Sequence, residues 1–432
     1  MSAAPLERWY WPTVVGAARA YAPLEGDADC DVAVVGAGLM GLSCALALAQ
    51  QGARVTVVEA GQPGDGASGR NGGLVVPSLP RVGPADVLRL LGATHGAQLN
   101  ALVAEGAQTV FDLIRRHDMQ CDAVQGGWLN PAHARELVGG LQARVAAWRD
   151  AGSRAQWLDA GETQARIGSR AFHGALFDAS GGHVNPYAYT QELARVASAS
   201  GARIHGASPV VRIARDGARY FVHTSQGVLR AQTVIQCTNA LHGGQLPLAP
   251  EVSRSFVPLT VFQLATRVLT AEERRLVLPG NEALSDTRNN LFAVRYTADG
   301  RMVTGGMAPL TLWRAAPRLL RALALRLERI LPALGQIRFD YIWRGEAALT
   351  PDFLPRLFEV DKNWFAPLGC NGRGIAMATS LGQCLGEFVA RRDARVLPLP
   401  IRRADPIRAH TLARYAPQVL LPVGMMQDAL RK

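Results

Sequence analysis

The sequence predicts an α/β (α+β) protein in which a Rossmann-like dinucleotide-binding domain is interleaved with a substrate domain of mostly antiparallel β-sheet. Three observations carry this. An apolar run over 32–35 stops at the turn Gly36-x-Gly38-x-x-Gly41 and continues as a helical pattern to residue 50, the strand–turn–helix context that a dinucleotide fingerprint needs. A second glycine-rich turn, Gly369-Cys370-Asn371-Gly372-Arg373-Gly374-Ile375, feeds another helical pattern far along the chain. A length of 432 residues is also long for a single core, so two domains are expected.

In the first unit, Gly36 permits a tight turn, Gly38 lets the backbone approach a pyrophosphate, and Gly41 lets the helix pack on its strand. Leu39, Met40 and Gly41 lead from that turn into the helix expected over 42–50, at whose N-terminus unpaired N–H groups and the helix dipole favour phosphate. The apolar run over 54–58 ends in Glu59, about twenty residues after the glycines, as an acid that takes ribose hydroxyls should. Ala60 and Gly61 follow it with no basic residue, so a 2′-phosphate is not expected. Residues 66–73 read as a glycine-rich loop. Its Ala67, Ser68, Arg70, Asn71, Gly72 and Gly73 offer backbone donors and one cation to a second phosphate or a flavin ring. Two glycine-rich turns on one chain suit an extended ligand held at both ends.

Beyond this unit, 84–117 reads as helical, 126–130 as a short strand, and 139–151 and 162–167 as helices. Asn185 before Pro186 is a helix start, an N-cap followed by proline at the first helical position, and Gly201 closes that helix. Strands are expected over 203–204, 210–213, 220–224, 228–231 and 233–237, then 257–267, 291–296 and 301–304. Residues 317–330 place Leu319, Leu320, Leu323, Leu327 and Ile330 on one helical face. Residues 397–432 form a Pro- and Arg-rich tail with one helix.

Composition narrows the class. With 48% hydrophobic and 19% charged residues, the chain reads as a well-filled globular protein. No apolar run approaches the ~18 residues of a transmembrane helix, and residues 1–21 lack the order of a signal peptide. The six cysteines form no C-x-x-C pair, so neither zinc nor a disulfide framework is expected, and a reducing, cytoplasmic setting is the default. The net charge of +11 comes almost wholly from arginine, because the only lysines are Lys362 and Lys432. The arginines are scattered without an aromatic track, which argues against nucleic acid. Peripheral contact with the inner face of an anionic membrane, or with an acidic partner, ranks above it, and arginine preference set by codon composition ranks above both.

The motifs resemble those of the FAD-dependent amine and amino-acid oxidoreductases of the D-amino-acid-oxidase superfamily, most closely the γ-glutamylputrescine oxidoreductase branch. The residues concerned span most of the chain: the aromatic arm Trp9-Tyr10-Trp11, the loop Ser68-Gly69-Arg70-Asn71-Gly72-Gly73, Gly182-His183-Val184-Asn185-Pro186, Cys237-Thr238-Asn239-Ala240, Asp299-Gly300-Arg301, Trp343-Arg344-Gly345, Thr350-Pro351-Asp352 and the Gly369–Ile375 turn. The resemblance implies a glutathione-reductase/D-amino-acid-oxidase type of fold. Residues 1–27 would form an arm, 28–115, 187–248 and 345–395 a discontinuous FAD-binding domain, 116–186 and 249–344 the substrate domain, and 396–432 a tail. It implies that Val211 offers its backbone to the adenine, that Thr238 and Asn239 lie near the cofactor, and that Gly369, Asn371, Gly372, Arg373, Gly374 and Ile375 face the flavin. FAD should be non-covalent. No cysteine stands just before Thr350-Pro351-Asp352, and no histidine in 61–73, where some relatives attach theirs.

The implied activity is oxidation of a C–N bond, in a γ-glutamylated or secondary amine or an N-substituted amino acid, to an imine by hydride transfer to FAD, with oxygen or a quinone as acceptor. Substrate-pocket candidates are Gln263, Arg295 (as a fork for a carboxylate, or else a solvent-facing strand arginine), Tyr296 and Trp343, with a core role ranked above a pocket wall for the two aromatics. His183 is a weaker candidate base. Two other readings compete: a membrane-linked D-amino-acid-type dehydrogenase that reduces a quinone, and a non-catalytic FAD-bound assembly factor. The sequence leaves oligomeric state open.

Overall fold

The computed structural model describes residues 8–16, 18–240, 247–308 and 316–431; Lys432 lies outside them. The strands Val32–Val35 and Val55–Val58 are buried at every position. Parallel strands covered on both faces read as continuous apolar runs rather than alternating ones, which is why these two were visible in the sequence. They lie in a seven-stranded sheet ordered Ile401–Arg402, Arg356–Asp361, Trp364–Leu368, Thr233–Gln236, Val32–Val35, Val55–Val58, Arg203–His205. The five strands from Trp364–Leu368 onward are parallel, and Arg356–Asp361 joins antiparallel. The helices Leu39–Gln50 and Gly374–Arg391 pack against each other, with Pro84–Arg116 against the second and Pro186–Ala199 against the first.

A second sheet has eight strands, ordered Phe339–Leu349, Val257–Val268, Arg301–Gly306, Ala293–Tyr296, Ala283–Ser285, Trp128–Pro131, Ala175–Asp178, Ala155–Leu158. All its pairs are antiparallel except Ala283–Ser285 with Trp128–Pro131. A four-stranded sheet, Ala28–Asp29, Val228–Ala231, Arg219–Thr224 and Val210–Asp216, completes the first unit. The chain thus enters the dinucleotide sheet, leaves for the second sheet, and returns twice, as the interleaved reading requires.

Several boundaries differ from expectation. The loop expected over 66–73 contains a helical turn, Ala67–Arg70. The helices expected over 84–117 span Pro84–Arg116 and break at Gly92, where φ is +77°. Phe339–Leu349 is one strand across the domain boundary expected at 344/345. Its pairing along Val257–Val268 holds it straight where sequence motifs alone marked a border. The tail is not a mere appendage. Ile401–Arg402 adds an edge strand to the first sheet, and two helices follow, His410–Ala413 and Ala416–Leu430. Among the described residues no helix is long and apolar enough to cross a membrane.

Candidate active site

The first glycine turn is shaped by close backbone contact. Gly36 has φ +107°, and a methyl there would stand 2.8 Å from the Cys237 carbonyl oxygen. A methyl on Gly41 would run into the Gly36 carbonyl oxygen, so the helix can sit down on the turn only with glycine here. Gly38 differs. Its backbone is ordinary, with φ −87° and ψ −177°, and what a methyl would meet, at 2.7 Å, is Ser68 Oγ. That hydroxyl accepts the Leu39 N–H at 3.0 Å. The two glycine-rich segments, thirty residues apart, therefore touch, a contact no spacing rule revealed. Glu59 closes the next strand: Oε2 accepts the Ala37 N–H at 2.7 Å and Oε1 the Gly61 N–H at 3.0 Å. Each oxygen keeps an acceptor site for a ribose hydroxyl. Burial nevertheless raises the Glu59 pKa. Ala60 beside it is exposed.

In the second segment Asn71 works as a brace. Its Nδ2 donates to the Ser68 carbonyl at 2.7 Å and its Oδ1 accepts the Gly73 N–H at 2.8 Å. Arg70 is anchored within the segment and against the arm. Its Nε donates to the Asp65 carbonyl at 2.9 Å and its guanidinium lies 4.3 Å over the Trp9 ring. Gly72 faces Gln263, whose Oε1 would stand 3.1 Å from a methyl there. Of the four pocket candidates, Gln263 is the one turned toward this segment and half-buried. The aromatic arm clamps the same segment. Trp11 Nε1 donates to the Asn71 carbonyl at 2.9 Å, and Trp9 meets Tyr187 edge-on at 5.1 Å. The sequence signalled the arm only as three adjacent aromatics.

The late turn passes three left-handed residues, Gly369 (φ +86°), Asn371 (φ +51°) and Gly372 (φ +81°). Asn371 is buried and holds the turn together. Nδ2 donates to the Gly369 carbonyl at 2.6 Å, while Oδ1 accepts the Thr350 N–H at 2.8 Å. The Thr350-Pro351-Asp352 motif and the glycine turn are thus one unit. Gly374–Arg391 then begins with no side-chain cap, and Ile375 is buried in the core. Arg373, at its start, lies 4.9 Å over the Trp128 ring. Its Nη1 is buried without a partner among the described residues, and burial, with Arg144 nearby, pulls its pKa down to about 9. An unpartnered buried guanidinium nitrogen calls for an acceptor, and a flavin carbonyl is one.

The two uncapped helices run parallel. A methyl on Gly382 would stand 2.6 Å from the Met40 carbonyl, and one on Gly386 2.7 Å from Ala47 Cβ. Met40 is thus level with Gly382, so the start of the second helix lies about seven residues, roughly 10 Å, beyond the start of the first. Two positive helix ends facing the same way at that offset fit a ligand with pyrophosphate at one end and a redox ring at the other. These residues therefore fit FAD. Thr238 and Asn239 (φ +49°) follow the strand Thr233–Gln236 and lie beside Gly36 through Cys237. Val211 is the extra residue of a β-bulge between Val210 and Arg212, where the ladder leaves its backbone without a cross-strand partner. Acid precipitation of the purified protein is expected to release all yellow colour to the supernatant; colour retained in the pellet would show a covalent flavin.

Three pocket candidates are buried, and the fork role of Arg295 is corrected. Arg295 is fully buried. Nε donates to the Gly72 carbonyl at 2.9 Å, Nη2 to Val184 at 2.7 Å and Nη1 to Tyr296 at 2.8 Å, and the guanidinium stacks 4.4 Å over Trp11. Burial pulls its pKa down to about 9. Its fork is spent on backbone, not open to a carboxylate. Tyr296 points to the opposite side of its strand into the substrate-domain core, its hydroxyl donating to the Val277 carbonyl at 2.6 Å. Trp343 packs with Tyr10 and Trp11 and donates to the Arg70 carbonyl at 2.8 Å. His183 is also core. Arg295 faces its Nδ1 at 3.4 Å, so Nδ1 is the acceptor and Nε2–H points to Asn281 Oδ1 at 3.1 Å. Burial and Arg295 hold its pKa down to about 3, so it is neutral.

A family described as FAD dependent oxidoreductase matches residues 31–388. The chain is 31% identical over 382 residues to gamma-glutamylputrescine oxidoreductase of Escherichia coli (strain K12), covering 87% of this chain and 88% of that protein. Among solved structures it is similar to glycine oxidase from Geobacillus kaustophilus, with TM-score 0.68 and 22% identity over 84% of this chain and 95% of that one. It is also similar to L-proline dehydrogenase from P. horikoshii, with TM-score 0.71 and 18% identity over 87% of this chain and 98% of that one. At these identities the structural likeness speaks for the fold alone, and it embraces an oxidase and a dehydrogenase alike.

Proposed function

This chain belongs to the FAD-dependent oxidoreductase family, and on that premise we propose that it oxidises the C–N bond of an amine to an imine, with a γ-glutamylated amine, a secondary amine or an N-substituted amino acid as substrate. The observation that supports cofactor use most directly is the pair of parallel, uncapped helix starts, with the partnerless Arg373 Nη1 at the second. An intact cofactor cradle counts against a non-catalytic assembly factor. The similarity to gamma-glutamylputrescine oxidoreductase supports the substrate class.

Bound FAD supplies two-electron acceptance. The Leu39–Gln50 helix start would hold the pyrophosphate, with Glu59 on the ribose. At the other end, the Gly374–Arg391 helix start and Arg373 would supply positive charge to a ring that becomes negative on reduction. A helix dipole is worth ~0.3–1 kcal/mol to an anion, up to ~2 when partly buried; at ~30 mV per 1.4 kcal/mol this shifts a two-electron potential by tens of millivolts. Gln263 is the side chain we assign to the substrate face. No base is assigned. His183 is neutral and enclosed, so the substrate must present an unprotonated amine, and the pocket's task is to orient it and exclude water.

The acceptor is oxygen or a quinone. Among the described residues the one lysine, Lys362, sits before the strand Trp364–Leu368, whose far end leads into the Gly369 turn. Five strand residues span about 17 Å, so Lys362 stands well away from the ring that the late turn would face. We favour slow reaction with oxygen for this reason, and a cytoplasmic protein by its six free cysteines. Anaerobic mixing with panels of γ-glutamyl amines, polyamines, sarcosine-like compounds and D-amino acids is expected to bleach the flavin with one of the first three. Mixing the reduced protein with aerated buffer then reads the acceptor. Bleaching by D-amino acids alone overturns the substrate class; no bleaching by any overturns the enzyme reading; reoxidation as fast as turnover makes the protein an oxidase.

A further inference from the structure

The C-terminal helix Ala416–Leu430 is docked along a narrow seam and leaves most of its apolar surface in water. Gln418 and Leu421 are buried under it. Asn289 grips Asp428: its backbone N–H donates to Oδ2 at 2.7 Å and its Nδ2 to Oδ1 at 2.8 Å. The same Nδ2 donates to the Gly424 carbonyl at 3.2 Å, and a methyl on Gly424 would stand 2.8 Å from Asn289 Cβ. These contacts fix which face looks outward. On that outer side Val419, Val423, Met426 and Leu430 follow at intervals of three or four residues, each 48–73% exposed, and Leu412 and Tyr415 just before the helix are exposed as well. That spacing is one helical stripe, and an apolar stripe so exposed marks an interaction site.

The tail that carries the stripe is mostly positive, with Asp405 exposed beside its arginines. Residues 397–432 contain five arginines and Lys432 against two acids, Asp405 and Asp428. Asp428 is turned inward onto Asn289, while Arg402, Arg403, Arg408, Arg414 and Arg431 are exposed. The helix has 15 residues, about 22 Å, too short for the ~30 Å hydrocarbon core of a bilayer. We propose that this helix anchors the protein flat on an anionic lipid surface, its apolar stripe among the acyl chains and its arginines on the headgroup phosphates. A second copy of the chain fits less well, because a two-fold contact sets the same patch against itself, arginine facing arginine.

The anchor also lies near the candidate site. Asn290, next to Asn289, accepts the Met307 N–H at 3.0 Å. Met307 follows Gly305 and Gly306, and a methyl on Gly305 would stand 2.8 Å from Gln263 Oε1. A membrane-dissolved acceptor would thus be close at hand, but the lipid contact stands whichever acceptor or substrate is used.

The test is co-sedimentation of full-length, FAD-loaded protein with vesicles of phosphatidylcholine alone or mixed with phosphatidylglycerol. Binding is expected on the mixed vesicles and should weaken as salt is raised. A Val419→Glu/Met426→Glu variant should keep its colour and Tm while its partition coefficient falls at least about tenfold, the 1.4 kcal/mol step of an equilibrium. Arg408→Gln/Arg414→Gln should reduce the preference for the anionic vesicles. If the double Glu variant loses its colour, Leu430→Gln, at the most exposed end of the helix, reads the same loss. Absence of binding to either vesicle, or binding that the variants leave unchanged, overturns the proposal. So does a dimer in solution that the Glu variant dissolves, which would assign the stripe to a second copy.

Discussion

A Gly38→Val variant is expected to purify folded but colourless. The backbone at Gly38 lies in the extended region open to any residue, so the substitution introduces no φ strain, unlike one at Gly36. Its branched side chain instead meets Ser68 Oγ and breaks the hydroxyl's contact with the Leu39 N–H. It also occupies the space in front of the helix start where a pyrophosphate would lie. The flavin-to-protein absorbance ratio should fall by at least an order of magnitude, while far-UV circular dichroism stays native. Gly38→Ala should lose less, because a methyl needs only a small shift of Ser68. A Gly38→Val protein with full FAD content would mean that this turn does not hold the phosphates.

Arg295→Leu is expected to be the most damaging single substitution for stability. The leucine fills part of the volume but leaves the carbonyls of Gly72, Val184 and Tyr296 without their donor. Each buried unsatisfied group costs about 1–3 kcal/mol, so the sum is roughly 3–9 kcal/mol, a large part of the 5–15 kcal/mol that keeps a typical domain folded. The loss should appear as low soluble yield, a Tm lowered by several degrees, and weaker FAD retention, because the 71–73 segment hangs from this guanidinium. Arg295→Lys should not rescue it, since an ammonium cannot span three carbonyls set for a planar fork. A Tm for Arg295→Leu within a degree of the parent would remove the network from the account. If Arg295 instead bound a substrate carboxylate, the variant would keep its Tm and raise only KM.

The contrast between these two residues shows where sequence reasoning stopped. Gly38 was legible because a dinucleotide turn is local: a strand, three glycines and a helix lie within twenty residues, and each glycine answers a backbone requirement of its neighbours. Arg295 sits in a strand with ordinary alternation, and nothing beside it in the chain says that its partners are the carbonyls of residues 72 and 184. For Tyr296 and Trp343 a core role ranked above a pocket wall, and both lie in the core. An aromatic on a strand looks the same whether it walls a pocket or meets Trp11 from an arm more than three hundred residues away.

By itself the sequence determined the two glycine turns, the acid at Glu59, the cap at Asn185, the buried parallel strands, and through their motifs the family and its FAD. These depend on short-range backbone geometry, and residue type at fixed spacing records it. Only the tertiary structure decided that Ser68 meets the first helix, that Asn371 and Thr350 form one braced turn, that Arg373 keeps a buried nitrogen without a partner among the described residues, and that Arg295 and His183 are enclosed in the core. It also decided that the tail turns an apolar, arginine-bordered face outward. Each of these depends on which segments the packed sheets bring together, and one-dimensional spacing carries no record of that.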